Sequence, residues 1–164
     1  MSSQKKDYPY KGTDVSIDAS KIQISKLLRD YGVEGAQWLE VWSENKIELR
    51  FPITVDYQGV RKRILVGLKP PLFLGKHRTY DPQRGYLIVT APDLKASMRA
   101  LFTYVKGMLE AQAYGLAKIE DVFMSHILIS IDGREATLGD KMRLSILKGD
   151  IPALEDQSVQ GERD

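Results

Sequence analysis

The chain predicts an α+β fold: an antiparallel meander of three to four strands packed against a long amphipathic helix, with additional shorter helices. Three observations carry that expectation. Residues 46–51 alternate strictly, with Ile47, Leu49 and Phe51 on one side and Lys46, Glu48 and Arg50 on the other, the period of a half-buried strand. Short turn signals at Ser43-Glu44-Asn45 and Asp56–Gly59 separate that run from its neighbours. Leu94, Met98, Leu101, Val105, Met108 and Leu109 then keep one stripe of a helix.

The elements follow in order. A first helix is expected over Ala19–Tyr31, capped by Asp18 or Ser20 and ended by Gly32. Its stripe is Ile24, Leu27, Leu28 and Tyr31. Strands are expected at Gln37–Trp42, Lys46–Phe51 and Val60–Leu68. Lys69–Arg84 contains two adjacent prolines, a glycine and Asp81-Pro82, and reads as a long loop. Gly85–Thr90 is a fourth strand or a lead-in to the long helix, which opens on the capping box Thr90-Ala91-Pro92-Asp93. Gly115 ends it. A short helix at Ile119–Ser125, an extended run at Ile127–Ile131, an Asp132-Gly133 turn and a last helix from Thr137 to about Lys148 complete the chain. Residues 15–154 are expected to form one domain, with flexible tails at 1–14 and 155–164.

The sequence has 164 residues, 43% hydrophobic and 28% charged. That suits one domain with a sizeable core. With no cysteine, disulfides and thiolate metal sites are excluded. No apolar run of about 18 residues suggests a membrane span, and Met1 to Asp14 lacks the apolar segment of a secretion signal. A cytoplasmic setting is the expectation.

Net charge is only +2, but it is unevenly spread. Tyr57 to Ala111 holds ten Lys or Arg against three acids, a net of +7, while residues 112–164 carry −4. Such asymmetry marks an anion-binding surface or a chance cluster of solvated cations. The cations Arg61, Lys62, Arg63, Lys69, Lys76, Arg78, Arg99 and Lys106 are candidates to hold phosphates. Lys95, Arg99 and Lys106 share one helical stripe with Phe102. An aromatic among cations suits single-stranded nucleic acid, where rings stack the bases; burial under a neighbouring element is the alternative. Trp38 and Trp42 share a strand face with Glu40, opposite Leu39 and Val41. If Leu39 and Val41 turn inward, the indoles form an open stacking platform; if the indoles turn inward, they are core.

Catalytic templates are missing. There is no phosphate-binding glycine loop, no serine elbow and no His-Glu-x-x-His. His77 and His126 sit in different elements, outside metal-ligand spacing. The acids are scattered away from the basic centre, so no catalytic residue, metal site or cofactor is expected, and the protein is read as non-enzymatic.

The stretch Arg99–Gly139 resembles a family of small uncharacterised proteins encoded by phages and prophages. The carrying residues are Arg99-Ala100-Leu101, Lys106, Leu109-Glu110-Ala111, Gly115-Leu116, Glu120, Phe123, His126-Ile127, Asp132-Gly133-Arg134 and Gly139. They follow the family pattern "RWRAL…KAKLEAVEAGI…FEEEFLAHI…DGRTVGE", with Met98 where the family has tryptophan. The resemblance implies a phage or mobile-element origin and an intracellular setting, and brings no activity. The expected function is non-enzymatic binding of single-stranded DNA, or of RNA, by a protein that is a dimer if oligomeric. The alternative is a phage protein-interaction module that binds a host or phage protein. A metal-dependent nuclease ranks third.

Overall fold

In the computed structural model, which describes residues 7–154, the meander forms as expected from the alternating segments. The order is α1 (Ile17–Asp30), β1 (Gln37–Val41), β2 (Lys46–Tyr57), β3 (Val60–Leu68), β4 (Leu74–Asp81), β5 (Gly85–Pro92), α2 (Leu94–Ala113), α3 (Ile119–Phe123), β6 (Leu128–Ile131), β7 (Arg134–Thr137) and α4 (Leu138–Leu147). All strand pairs are antiparallel, in sheets β1-β2-β3, β4-β5 and β6-β7. The chain is an α+β fold.

The core lies between the three-stranded sheet and two helices. Ile47, Leu49, Phe51 and Ile53 of β2 and Val66 and Leu68 of β3 face Ile24 and Leu28 of α1 and Met98, Leu101, Val105 and Leu109 of α2. Phe123 of α3 closes one end, meeting the Phe51 ring edge-on at 5.2 Å. Apart from Ile53 and Phe123, these are the alternating and helical positions expected to be apolar, so the period of each segment decided which face it buried. At about 1.5 Å per residue, α2 is roughly 30 Å long. Gly32 and Gly115 both adopt left-handed φ and end α1 and α2, each followed by a residue whose N–H reaches back into the last turn.

Several boundaries differ from expectation. Ser16, not Asp18 or Ser20, caps α1 by accepting from the Ala19 N–H; Ser20 is buried against α2. Asp93 itself caps α2 by accepting from the Ala96 N–H. β2 runs on to Tyr57 through Pro52. Pro52 lies past the last β1 pair, Gln37↔Arg50, where β2 has a neighbour on one side only and a strand proline is tolerated. Residues 134–137 form β7, closing a hairpin that packs Leu128 over Gly67.

The largest correction concerns Lys69–Arg84. It is not a long loop: Leu74–Asp81 is a strand paired over eight residues with Gly85–Pro92. The prolines that suggested a loop lie outside it. Pro70 and Pro71 precede the strand, and Asp81-Pro82 begins its turn, where the Asp81 carboxylate accepts from the N–H groups of Gln83 and Arg84. Among the described residues no third strand joins β4 or β5, and most of β4 and half of β5 are exposed. The hairpin is an arm attached to the body at its root.

That root is tied down by residues expected to belong to the flexible tail. Tyr8 stacks on Phe73 at 5.2 Å and donates its hydroxyl to the Asp93 carboxylate at 2.8 Å. The carboxylate favours the protonated phenol, which raises the Tyr8 pKa. Gly75 is needed here, because a Cβ would stand 2.6 Å from the Tyr8 hydroxyl. The expected tail at 155–164 lies outside the described residues.

Candidate nucleic-acid interface

The strand pairing sorts the arm's side chains by face. Because side chains alternate, Leu74, Lys76, Arg78 and Tyr80 of β4 share a face with Tyr86, Ile88, Thr90 and Pro92 of β5. The opposite face holds Gly75, His77 and Thr79 with Leu87, Val89 and Ala91. Tyr8 covers the root of this second face. The first face combines cations with rings. The Arg78 guanidinium lies 3.9 Å from the centroid of the Tyr86 ring, and Tyr80 meets Tyr86 edge-on at 5.3 Å. Tyr80 and Tyr86 are 64% and 66% exposed, so both rings keep open surface beside charge. Arg84 adds a third cation at the tip, where Asp81 is occupied by the turn.

The candidate cations do not form one surface. Arg61 and Arg63 sit at the far end of the sheet, where β2 turns into β3. Arg61 pairs with Asp56 at 3.5 Å and Arg63 with Glu34 at 3.1 Å. From Arg61 to Leu68 the strand covers about 23 Å, and the arm begins beyond Leu68. Lys62 lies on β3 near that far turn, exposed. On α2, Arg99 is held at the contact with α1: it donates to Gln23 Oε1 at 2.6 Å and covers the Phe102 ring at 4.2 Å. Phe102 is half-buried and packs against the core, so it belongs to the α1–α2 contact. Lys106 faces Glu110 at 3.7 Å. Lys69, Lys76, Arg84 and Lys95 have no ion-pair partner among the described residues. Lys69 and Lys95 flank the arm's root, and Lys76 and Arg84 lie on the arm itself.

The two tryptophans separate as well. Trp38 pairs with Leu49, so it shares the core-facing side of the sheet. Its indole N–H donates to Ser25 of α1 at 3.1 Å. Glu40 faces the same way and pairs with the nearly buried Lys21, which holds its carboxyl below the usual range. Trp42 leaves the strand in a short 3-10 turn and is 85% exposed. The stacking platform of both indoles does not form: the residues alternate inward because α1 packs on that side of β1.

Two features with chemical character belong to the framework. Arg50 donates to both Glu48 and Glu135, an ion triad fastening the β6–β7 hairpin onto the outer face of the sheet. A groove of about 430 Å³ beside it is lined by Arg50, Arg63, Pro52 and Ile64, but both arginines are paired with acids. His126 and Tyr104 meet at 2.9 Å between Nε2 and the hydroxyl. No group of three or more His, Asp or Glu side chains is placed to hold a metal ion among the described residues. No described helix is long and apolar enough to cross a membrane.

Sequence reasoning missed Tyr80, Tyr86 and Arg84 as members of the site. Their signal was the alternation Lys76, Arg78, Tyr80, mirrored across the Asp81-Pro82 turn by Tyr86 and Ile88. No protein-family model, no curated protein and no solved structure matches the chain.

Proposed function

We propose that the chain is a non-enzymatic nucleic-acid-binding protein that takes single-stranded DNA, or RNA, on the β4–β5 arm. The resemblance to phage-encoded proteins supplies its setting, a host cytoplasm. One observation carries the reading: an eight-pair ribbon, free of the body beyond its root, puts Lys76 and Arg78 on one face with Tyr80 and Tyr86. Cations on this face follow the phosphates, and the open tyrosine rings stack unpaired bases, each worth about 1–3 kcal/mol. Lys69, Lys95 and the exposed Trp42 lie at the root end and extend the track.

The test is fluorescence anisotropy of labelled single- and double-stranded oligonucleotides over a salt series. Single strands are expected to bind more tightly, with affinity falling as salt rises. Lys76→Ala/Arg78→Ala should cut the salt slope by about 1.4, since each lost phosphate contact removes about 0.7. Unchanged affinity in that variant overturns the site.

The protein-interaction reading keeps one observation of its own. Leu144 and Leu147 on the outer side of α4 are exposed, as are Tyr114 and Leu116 past the end of α2, apolar surface of the kind that partners cover. A stoichiometric, nuclease-insensitive complex that survives Lys76→Ala/Arg78→Ala would favour it.

A further inference from the structure

A two-stranded ribbon alone is marginal in water, and further strands or a packed face are needed to make one secure. Beyond the root, β4 and β5 have only each other among the described residues. Their two outer edges differ in chemistry. β4 carries Lys76, His77, Arg78 and Asp81, whereas β5 reads Gly-Tyr-Leu-Ile-Val-Thr-Ala-Pro, eight residues without a charge. Ile88, Val89 and Thr90 are β-branched in succession, and Ile88 is 75% exposed. Proteins guard long open edges with charge, bulges or a covering element. Among the described residues β5 has none of these; its one edge-breaking residue, Pro92, sits at the root.

We infer that the edge of β5 pairs with β5 of a second copy of this chain, in an antiparallel, two-fold arrangement of four strands ordered β4-β5-β5-β4. Charge selects both the edge and the occupant. A two-fold axis sets the edge against a copy of itself, the central residue on its own mate and the others on neighbours across the axis, so a strand bearing cations meets like charge and an uncharged one does not. β4 is thereby excluded and β5 fits. Centred on Ile88, the pairing sets Ile88 against its mate and Tyr86 against Thr90 of the second copy. The axis stands perpendicular to the sheet, so both arms turn the same face to the same side. Lys76, Arg78, Tyr80 and Tyr86 of the two copies then form one four-stranded surface, with the outer strands about 14 Å apart. The use of that surface rests on the nucleic-acid reading; the pairing itself does not.

Sedimentation velocity of the full chain without nucleic acid tests the pairing. The protein should sediment as a dimer at about 50 µM and dissociate on dilution. Ile88→Lys sets like charges together and should weaken the dimer about tenfold or more, with an unchanged circular-dichroism melt at monomer concentrations because the side chain is exposed. Mixing Ile88→Lys with Ile88→Glu should restore the dimer. A monomeric wild type at that concentration, a dimer that survives Ile88→Lys, or a Lys/Glu mixture that stays monomeric overturns it. Lys76→Ala/Arg78→Ala leaves sedimentation unchanged, so a failure of the nucleic-acid reading shows in the anisotropy alone.

Discussion

The hairpins β2–β3 and β4–β5 are near equals as ladders and opposites as surfaces. One has nine cross-strand pairs and the other eight; the first carries Lys46, Arg50, Arg61, Lys62 and Arg63, the second Lys76, Arg78 and Arg84. The first buries Phe51, Ile53, Val66 and Leu68 under two helices, and its arginines meet Asp56 and Glu34. The second buries only Gly75, and its cations meet rings or solvent. A strand draws its stability from the side it buries and offers a ligand the side it does not. The run of charge from Tyr57 to Ala111 therefore divides into an end whose two arginines are paired with acids, beside the exposed Lys62, and an arm on which Lys76, Arg78 and Arg84 meet no acid among the described residues.

The largest effect should come from the buried side. Phe51 has no exposed surface and packs on Phe123. Phe51→Ala should cost about 3–5 kcal/mol of unfolding free energy in urea. Tyr80→Ala on the arm should stay within about 0.5 kcal/mol. Similar losses for the two variants would mean that the arm is as integrated as the body.

Binding should show the reverse. Lys76→Ala/Arg78→Ala should weaken single-strand binding about tenfold at low salt, where phosphate contacts dominate. Arg61→Ala/Arg63→Ala, whose partners are acids, should change it by less than about twofold. If the second pair proves as costly as the first, the nucleic acid runs over the whole sheet, and the division into two ends fails.

The contrast also shows what was legible in the sequence. β2 announces itself because burial on one side imposes an apolar-polar alternation, and the α2 stripe is readable for the same reason. The arm buries neither side, so its alternation is one of charges and rings, and the adjacent prolines read as a loop. Trp38 follows the same logic. Its direction was set by α1 packing on β1, a contact between segments distant in sequence, and neither Glu40 nor Leu39 reveals it locally. Phe102 and Arg99 were correctly placed together on a stripe, but only the α1–α2 contact shows that they face Gln23 and the core.

The root joins the two regions, and a smaller perturbation there should separate them. Asp93 both caps α2 and receives the Tyr8 hydroxyl. Asp93→Ala should cost about 1 kcal/mol through the lost cap. It should also speed hydrogen exchange across β4–β5 more than across β2–β3, because the strap on the arm is released. Equal acceleration in both hairpins would mean that the arm is held by its own ladder rather than by its root.

The finest division is by pH, and it should fall on the body. His126 precedes Ile127, which bridges to Val66 at the edge of β3. Half-buried against Tyr104 and near Arg143, its imidazole is held below its ordinary pKa, first by burial and then by the arginine. The unfolded chain, with a histidine pKa of about 6.5, therefore takes up the proton before the folded one. The sign follows from linkage: this contribution is complete above about pH 6.5 and is lost as the pH falls towards the folded value. Glu40 and Asp140, whose pKa values are also lowered, act only below about pH 4, so the interval between about 5 and 7 isolates His126. The melting temperature should fall across that interval, and His126→Asn should flatten the slope. Exchange should quicken at β6 and the β3 edge while the arm stays unchanged, since no contact of His126 reaches it. An undiminished slope in His126→Asn would assign the acid sensitivity to another group.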